Sequence, residues 1–147
     1  MSNEELDLGF RLIEEEDLSV VVIKDGDAIA KRRGRGILPL VSLYEEKLLK
    51  DAVVVDRILG RAAALVCRAG GVLEVGAMVG SNAAIQVLEK GGIKTVVVKT
   101  VEKIMNRRGD GCCPFEKEVQ GIEDPLIGVA RVKDLLEKLG LREEGDR

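Results

Sequence analysis

Between residues 52 and 98 the chain alternates short β-branched runs with alanine- or leucine-bearing helical stretches, and each helical stretch stops at a glycine pair. Residues 52–55 (AVVV) read as a strand. Residues 58–69 read as an alanine-rich helix ended by Gly70-Gly71. Residues 72–79 form the next strand, and Ser81 or Asn82 caps a helix that runs to Lys90 and stops at Gly91-Gly92. Residues 93–98 (IKTVVV) follow as a third strand. Strands that alternate with helices are joined by right-handed crossovers and lie parallel, so this half of the chain predicts a mainly parallel sheet. The first half makes that sheet mixed. Residues 3–16 carry Leu6, Phe10 and Ile13 on one helical face, with a capping-box spacing from Ser2 to Glu5. Residues 19–24 (SVVVIK) then turn back through Asp25-Gly26, a hairpin signal, into residues 27–30. Pro39 opens a helix striped by Leu40, Tyr44 and Leu48, and Asp124-Pro125 opens a last helix that Gly140 ends.

No composition shift or linker divides the 147 residues, so they read as one domain. The composition excludes several chemistries. The chain has no histidine, which removes Ser-His-Asp triads, Cys-His dyads and histidine-bearing zinc sites. The three cysteines, Cys67 and the adjacent Cys112-Cys113, do not make a disulfide framework and suit a reducing cytoplasm. A net charge of -3 and only three aromatic residues, Phe10, Tyr44 and Phe115, argue against nucleic acid as a partner. Apolar runs are too short to span a bilayer, and no signal core opens the chain, so no membrane partner is expected. The basic stretch from Lys31 to Arg35 reads as a solvated loop.

Ligands of open α/β sheets sit beyond the carboxyl ends of the strands, where loops enter helices. Here that edge carries Asp56, Arg57, Gly60, Arg61, Gly80, Ser81, Asn82, Lys99 and Thr100. First-turn amides near Gly60 can take an anion, or Gly60 and its alanines only permit tight packing. The segment from Asn106 to Glu116 (NRRGDGCCPFE) is the densest in special residues. Pro114 fits the first position of a short helix, which makes Cys113 the N-cap and places Glu116 where its carboxylate reaches back to the N-cap backbone. The ordinary reading is a capped helix after a glycine turn. The sharper one is a Cys113 activated by the helix dipole and nearby arginines, with Glu116 as proton carrier. A third is an anion-binding loop.

The segments VVIKDG, RGRGILPL, DRILGRAAAL, SNAAIQVLEKGGI and NRRGDGCCPFE, followed by EDP, resemble in order a domain family of unknown function placed in the cytidine-deaminase-like superfamily. The resemblance spans residues 18–126 and implies a three-layer α/β/α sandwich around a mixed, mainly parallel sheet. It also implies homodimers, by superfamily habit, and puts weight on Asp56, Gly60, Arg61, Asn82, Asn106, Arg107, Gly109, Gly111, Cys113, Pro114 and Glu116. It does not bring zinc chemistry with it. Zinc deaminases hold their ligands at two helix starts, as His/Cys-Ala-Glu and Pro-Cys-x-x-Cys. The corresponding starts here read Gly60-Arg61-Ala62 and Gly80-Ser81-Asn82.

The expectation is therefore a cytoplasmic, zinc-free, deaminase-like domain that needs no cofactor and binds a small anionic or nucleotide-like molecule. Its ligand-binding residues are Asp56, Gly60, Arg61, Ser81, Asn82, Asn106, Arg107, Gly109 and Gly111. One alternative makes Cys113 a nucleophile or redox thiol assisted by Glu116. Another makes the domain a regulatory or interaction scaffold with a vestigial pocket.

Overall fold

The computed structural model describes residues 4–106 and 108–141. Its element order is α1 (Glu4–Glu15), β1 (Val20–Lys24), β2 (Asp27–Arg32), α2 (Leu38–Glu45), β3 (Val53–Leu59), α3 (Arg61–Gly70), β4 (Glu74–Ser81), α4 (Asn82–Lys90), β5 (Lys94–Val101), α5 (Pro114–Glu118) and α6 (Pro125–Lys138). The five strands form one sheet in the order β2-β1-β3-β4-β5. The β3–β4 and β4–β5 pairs are parallel, as strand–helix–strand units require. The β1–β2 and β1–β3 pairs are antiparallel. The sheet is thus divided evenly between the two kinds of pairing, and the expectation of a mainly parallel sheet is corrected. The reason is that β1 lies between its hairpin partner and β3, running against both.

Period-two alternation sorts the strand side chains. Val21, Ile23, Val53 and Val55 are buried with Leu6 and Ile13 of α1. Gly9 lets that helix lie close, because a Cβ there would come within 2.3 Å of Val55 Cγ2. Val20, Val22 and Val54 join a larger core with α2, α3, α4 and α6, in which Ala62, Ala63, Ala64, Leu65 and Val66 are all buried. The small residues that open α3 let it pack between the sheet and α6, where Val129, Val132 and Leu136 are buried.

Two boundaries differ from the sequence reading in ways that matter for the site. The expected Ser2–Glu5 box falls partly outside the described residues, and Glu5 instead accepts a bond from the Gly26 amide at 2.8 Å. The helix expected from residue 58 begins at Arg61, because Ile58 and Leu59 continue β3 by pairing with Val79 and Gly80. Asp56 and Arg57 therefore lie within a strand and not at a helix start. No helix among the described residues is long and apolar enough to cross a membrane.

Candidate functional site

The inner strands β3 and β4 each deliver a helix start to the same end of the sheet, and the two starts are closed differently. At the β4–α4 junction Ser81 is the N-cap, buried, with its hydroxyl accepting from the Ala84 amide at 3.1 Å. Asn82 follows it as an exposed residue. At the β3–α3 junction the N-cap is Gly60, which has no side chain to offer. The missing acceptor comes from Glu116, more than fifty positions away. The Arg61 amide donates to Glu116 Oε1 at 2.7 Å and the Ala62 amide to Oε2 at 2.8 Å. A carboxylate that bridges two first-turn amides answers both the unpaired donors and the positive end of the helix.

This arrangement explains Gly60. Its backbone is extended, which any residue can adopt, so conformation does not require glycine. Space does: a Cβ at Gly60 would lie 2.6 Å from the Glu116 carboxyl group. The expected reach of Glu116 back to its own N-cap is replaced by this reach across to α3. Both of its oxygens accept there from first-turn amides of α3, which makes Glu116 a cap supplied from another element.

Arg61 is anchored as well. Its Nε donates to the carbonyls of Val119 at 3.2 Å and Ile122 at 3.1 Å, so the α5–α6 connection is tied to the start of α3 from both sides. Cys113 is the N-cap of α5 with Pro114 at the first helical position, as the sequence reading placed them. Its amide donates to the Ile104 carbonyl at 3.0 Å. The preceding turn closes on itself. Met105 and Cys112 form a bridge, the Asn106 amide donates to the Gly111 carbonyl at 2.7 Å, and Asn106 Nδ2 donates to Asp110 Oδ1 at 2.9 Å. Gly109 takes a positive φ of 75° at the tip. Arg107 lies outside the described residues. The structure thus brings Gly60, Arg61 and Glu116 into contact and sets Cys113 one helical turn from Glu116. Asn106, Gly109 and Gly111 belong to a separate turn leading into it.

Asp56 lies in the interior strand β3, paired with Val20 on one side and Ala77 on the other. It is only 9% exposed, and burial pushes its carboxyl up to about 7, against the pull of the Arg57 and Ile58 backbone amides. Burial also pushes the Cys67 thiol up, reinforced by the charge of Asp56. Cys67 itself is buried on α3. The neighbouring Arg57 points the other way, donating to the carbonyls of Leu18 and Ile13, each at 2.9 Å, at the end of α1.

On the flank of α3 lies a feature the sequence reading did not assemble. A cleft of about 150 Å³ between α3, α4 and the turn before α6 is lined by Arg61, Arg68, Gln86, Val87, Lys90 and Glu123. Lys90 Nζ meets Glu123 Oε1 at 3.0 Å, and Arg68 donates to the Val87 carbonyl at 3.4 Å. The bond to Lys90 and the charges of Lys90, Arg61 and Arg68 lower the Glu123 pKa. Three cations, two on α3 and one on α4, thus face one carboxylate. Only Arg61 among them lay at the predicted ligand edge; Arg68 and Lys90 carried no local signal, because it takes helix packing to bring them together. Among the described residues no group of three or more His, Cys, Asp and Glu side chains is placed to hold a metal ion.

Fold and site together define an α/β protein with a mixed five-stranded sheet whose two inner helix starts are closed by the chain's own side chains. Residues 10–136 match the family described as "TM1506: Domain of unknown function (DUF1893)", and the chain belongs to that family. A solved DUF1893 family protein from Thermotoga maritima, TM1506, is similar in fold. It has a TM-score of 0.85 and 24% identity, with 92% of each chain covered. A Thermotoga maritima diaminohydroxyphosphoribosylaminopyrimidine deaminase/5-amino-6-(5-phosphoribosylamino)uracil reductase also matches, at 13% identity and a TM-score of 0.42 over 64% of this chain and 35% of that one. That likeness is too slight to carry an argument. No curated protein matches the chain.

Proposed function

We propose that this chain is a single cytoplasmic domain of the three-layer, deaminase-like kind that works without zinc and binds a small anionic, nucleotide-like ligand. The observation that carries the reading is the cleft in which Arg61, Arg68 and Lys90 converge on the Glu123 carboxylate. One carboxylate against three cations leaves the lining with excess positive charge, in a chain whose net charge is -3. A phosphate group presents more acceptor oxygens and more charge than a carboxylate, and arginine pairs bind it through several donors at once. In this reading Glu123 holds the cations in place until the ligand displaces it. The amides at the start of α3 are not the anion subsite, since Glu116 already fills them, and Arg61 links the predicted strand-end site to the cleft.

The test is titration calorimetry with inorganic phosphate, adenosine monophosphate and uridine monophosphate. The expected result is saturable binding of at least one of them, weakened about tenfold by Arg68→Ala and by Lys90→Ala, a loss of about 1.4 kcal/mol. A ligand that binds only as the nucleotide places a base subsite beside the cleft. Absence of binding by all three up to about 10 mM, the weakest affinity such a site would have, overturns the reading.

A further inference from the structure

The sheet has two edges, and they are built differently. The β2 edge is short and guarded: β1 and β2 lose register at Val22/Ile23, Lys31 pairs with Glu16 and Arg32 pairs with Glu46. Bulges and charges of this kind are how proteins keep an edge from pairing with another chain. The β5 edge has eight residues, KTVVVKTV, in unbroken register with β4. Its outer side pairs with no other strand of the sheet. Val96 is 38% exposed and Val98 67% exposed, on the face where Phe10 of α1 covers Gly76 of β4, one strand further in.

We propose that β5 pairs antiparallel with β5 of a second copy of this chain, across a two-fold axis at Val98, so that two five-stranded sheets join into one. Charge complementarity selects this occupant and this register. Centred on Val98, the pairing sets Val98 against the partner's Val98, Val96 against the partner's Thr100, and Lys94 against the partner's Glu102, one residue beyond the strand end. Lys94 already lies 3.6 Å from Glu74 of its own chain, so the ammonium comes between two carboxylates. No like charges meet. Centring on Val97 loses the Lys94–Glu102 pair, and centring on Lys99 sets Lys99 against itself. Opposite charges across a strand pair stabilise it and like charges destabilise it. A two-fold pairing is also closed, so it satisfies the edge without propagating into a fibre.

Sedimentation equilibrium of the full chain tests the association. The expected result is a dimer that Val98→Glu, which sets two carboxylates on the axis, weakens by about tenfold or more in dissociation constant. Val98 is exposed, so the substituted chain folds, and a circular-dichroism melt verifies it. Register is tested by Val98→Cys in a Cys112→Ser/Cys113→Ser background. Mild oxidation is expected to give a disulfide-linked dimer, because directly opposed residues lie within disulfide reach. Thr100→Cys in the same background is expected to stay unlinked, its two copies lying four residues or about 13 Å apart. A chain that stays monomeric to about 100 μM, above the range of specific homodimers, overturns the proposal. So does a dimer that Val98→Glu leaves intact.

Discussion

The β3–α3 and β4–α4 units are close counterparts. Each runs a buried strand into a helix at the same edge of the sheet, and the two strands pair in parallel from Val53↔Glu74 to Leu59↔Gly80. They differ at two positions. Where β3 buries Asp56, β4 has Ala77 in register. Where α4 is capped by its own Ser81, α3 is capped by Glu116 from another element. The second unit is closed by what lies next to it in the chain. The first depends on groups that only the complete fold brings together, and it carries the buried carboxyl of Asp56 as well. In open α/β sheets such helix starts are where ligands are held, and in this chain both are engaged in holding the fold.

The largest effect that separates the units is the pH dependence of Asp56. Its carboxyl stands at about 7 in the folded chain against 3.8 for the free group, because burial disfavours the charge. Between those values the folded state keeps a proton that the unfolded state has released. Stability therefore falls as pH rises, by about 1.4 kcal/mol per unit, and levels off above the folded value. The Asp56→Asn variant has no such proton. Denaturant unfolding of both chains from pH 4 to 9 is expected to show the variant gaining on the wild type up to about pH 7, then holding a constant advantage. A difference that does not change with pH would mean that Asp56 is charged without cost, and this part of the contrast would disappear.

Next in size is the cap in trans. Glu116→Ala leaves two first-turn amides of α3 unpaired and is expected to cost about 2–3 kcal/mol. Gly60→Ala is expected to cost about 1–3 kcal/mol by forcing the carboxylate away. The two are not independent. With Glu116 already truncated, the alanine Cβ meets no carboxyl group, and the cost of Gly60→Ala should fall below about 1 kcal/mol, the residual preference of an N-cap for glycine over alanine. Urea unfolding of the four chains of this cycle measures the coupling. Additive costs would show that Gly60 is needed for something other than room for Glu116.

These two units also show why one half of the site was legible in the sequence and the other was not. Ser81 before a helical run is a local signal, and the hydroxyl does what the spacing indicates. The turn at Asp25-Gly26, the Pro114 start of α5 and the Asp124 cap of α6 are local in the same sense, and each is found where the residues placed it. The segment DRIL at residues 56–59 is ambiguous alone. It reads as the start of a helix, and becomes strand because β1 and β4 offer backbone partners on either side. The direction of β1 beside β3 has no sequence signature, so the residues alone do not fix the balance of parallel and antiparallel pairing. Glu116 lies 55 residues from Arg61, and no periodicity connects them. The available hint was negative: a helix that opens on Gly-Arg, with no Ser, Thr, Asp or Asn at its cap, needs an acceptor from elsewhere.

The smallest effect is expected at the locally closed start. Ser81→Ala removes one neutral bond to the Ala84 amide and should cost about 1 kcal/mol, the usual value for an N-cap hydroxyl. Because Ser81 is buried, water cannot readily replace the lost acceptor, which holds the cost at that level and keeps it from vanishing. It should also add to Glu116→Ala without coupling, since the two caps share no partner. Chemical denaturation of Ser81→Ala and of the double variant checks both points. A cost equal to that of Glu116→Ala, or strong coupling between them, would mean that the two helix starts form one linked site, as the sequence reading first supposed, and not two separately closed ends.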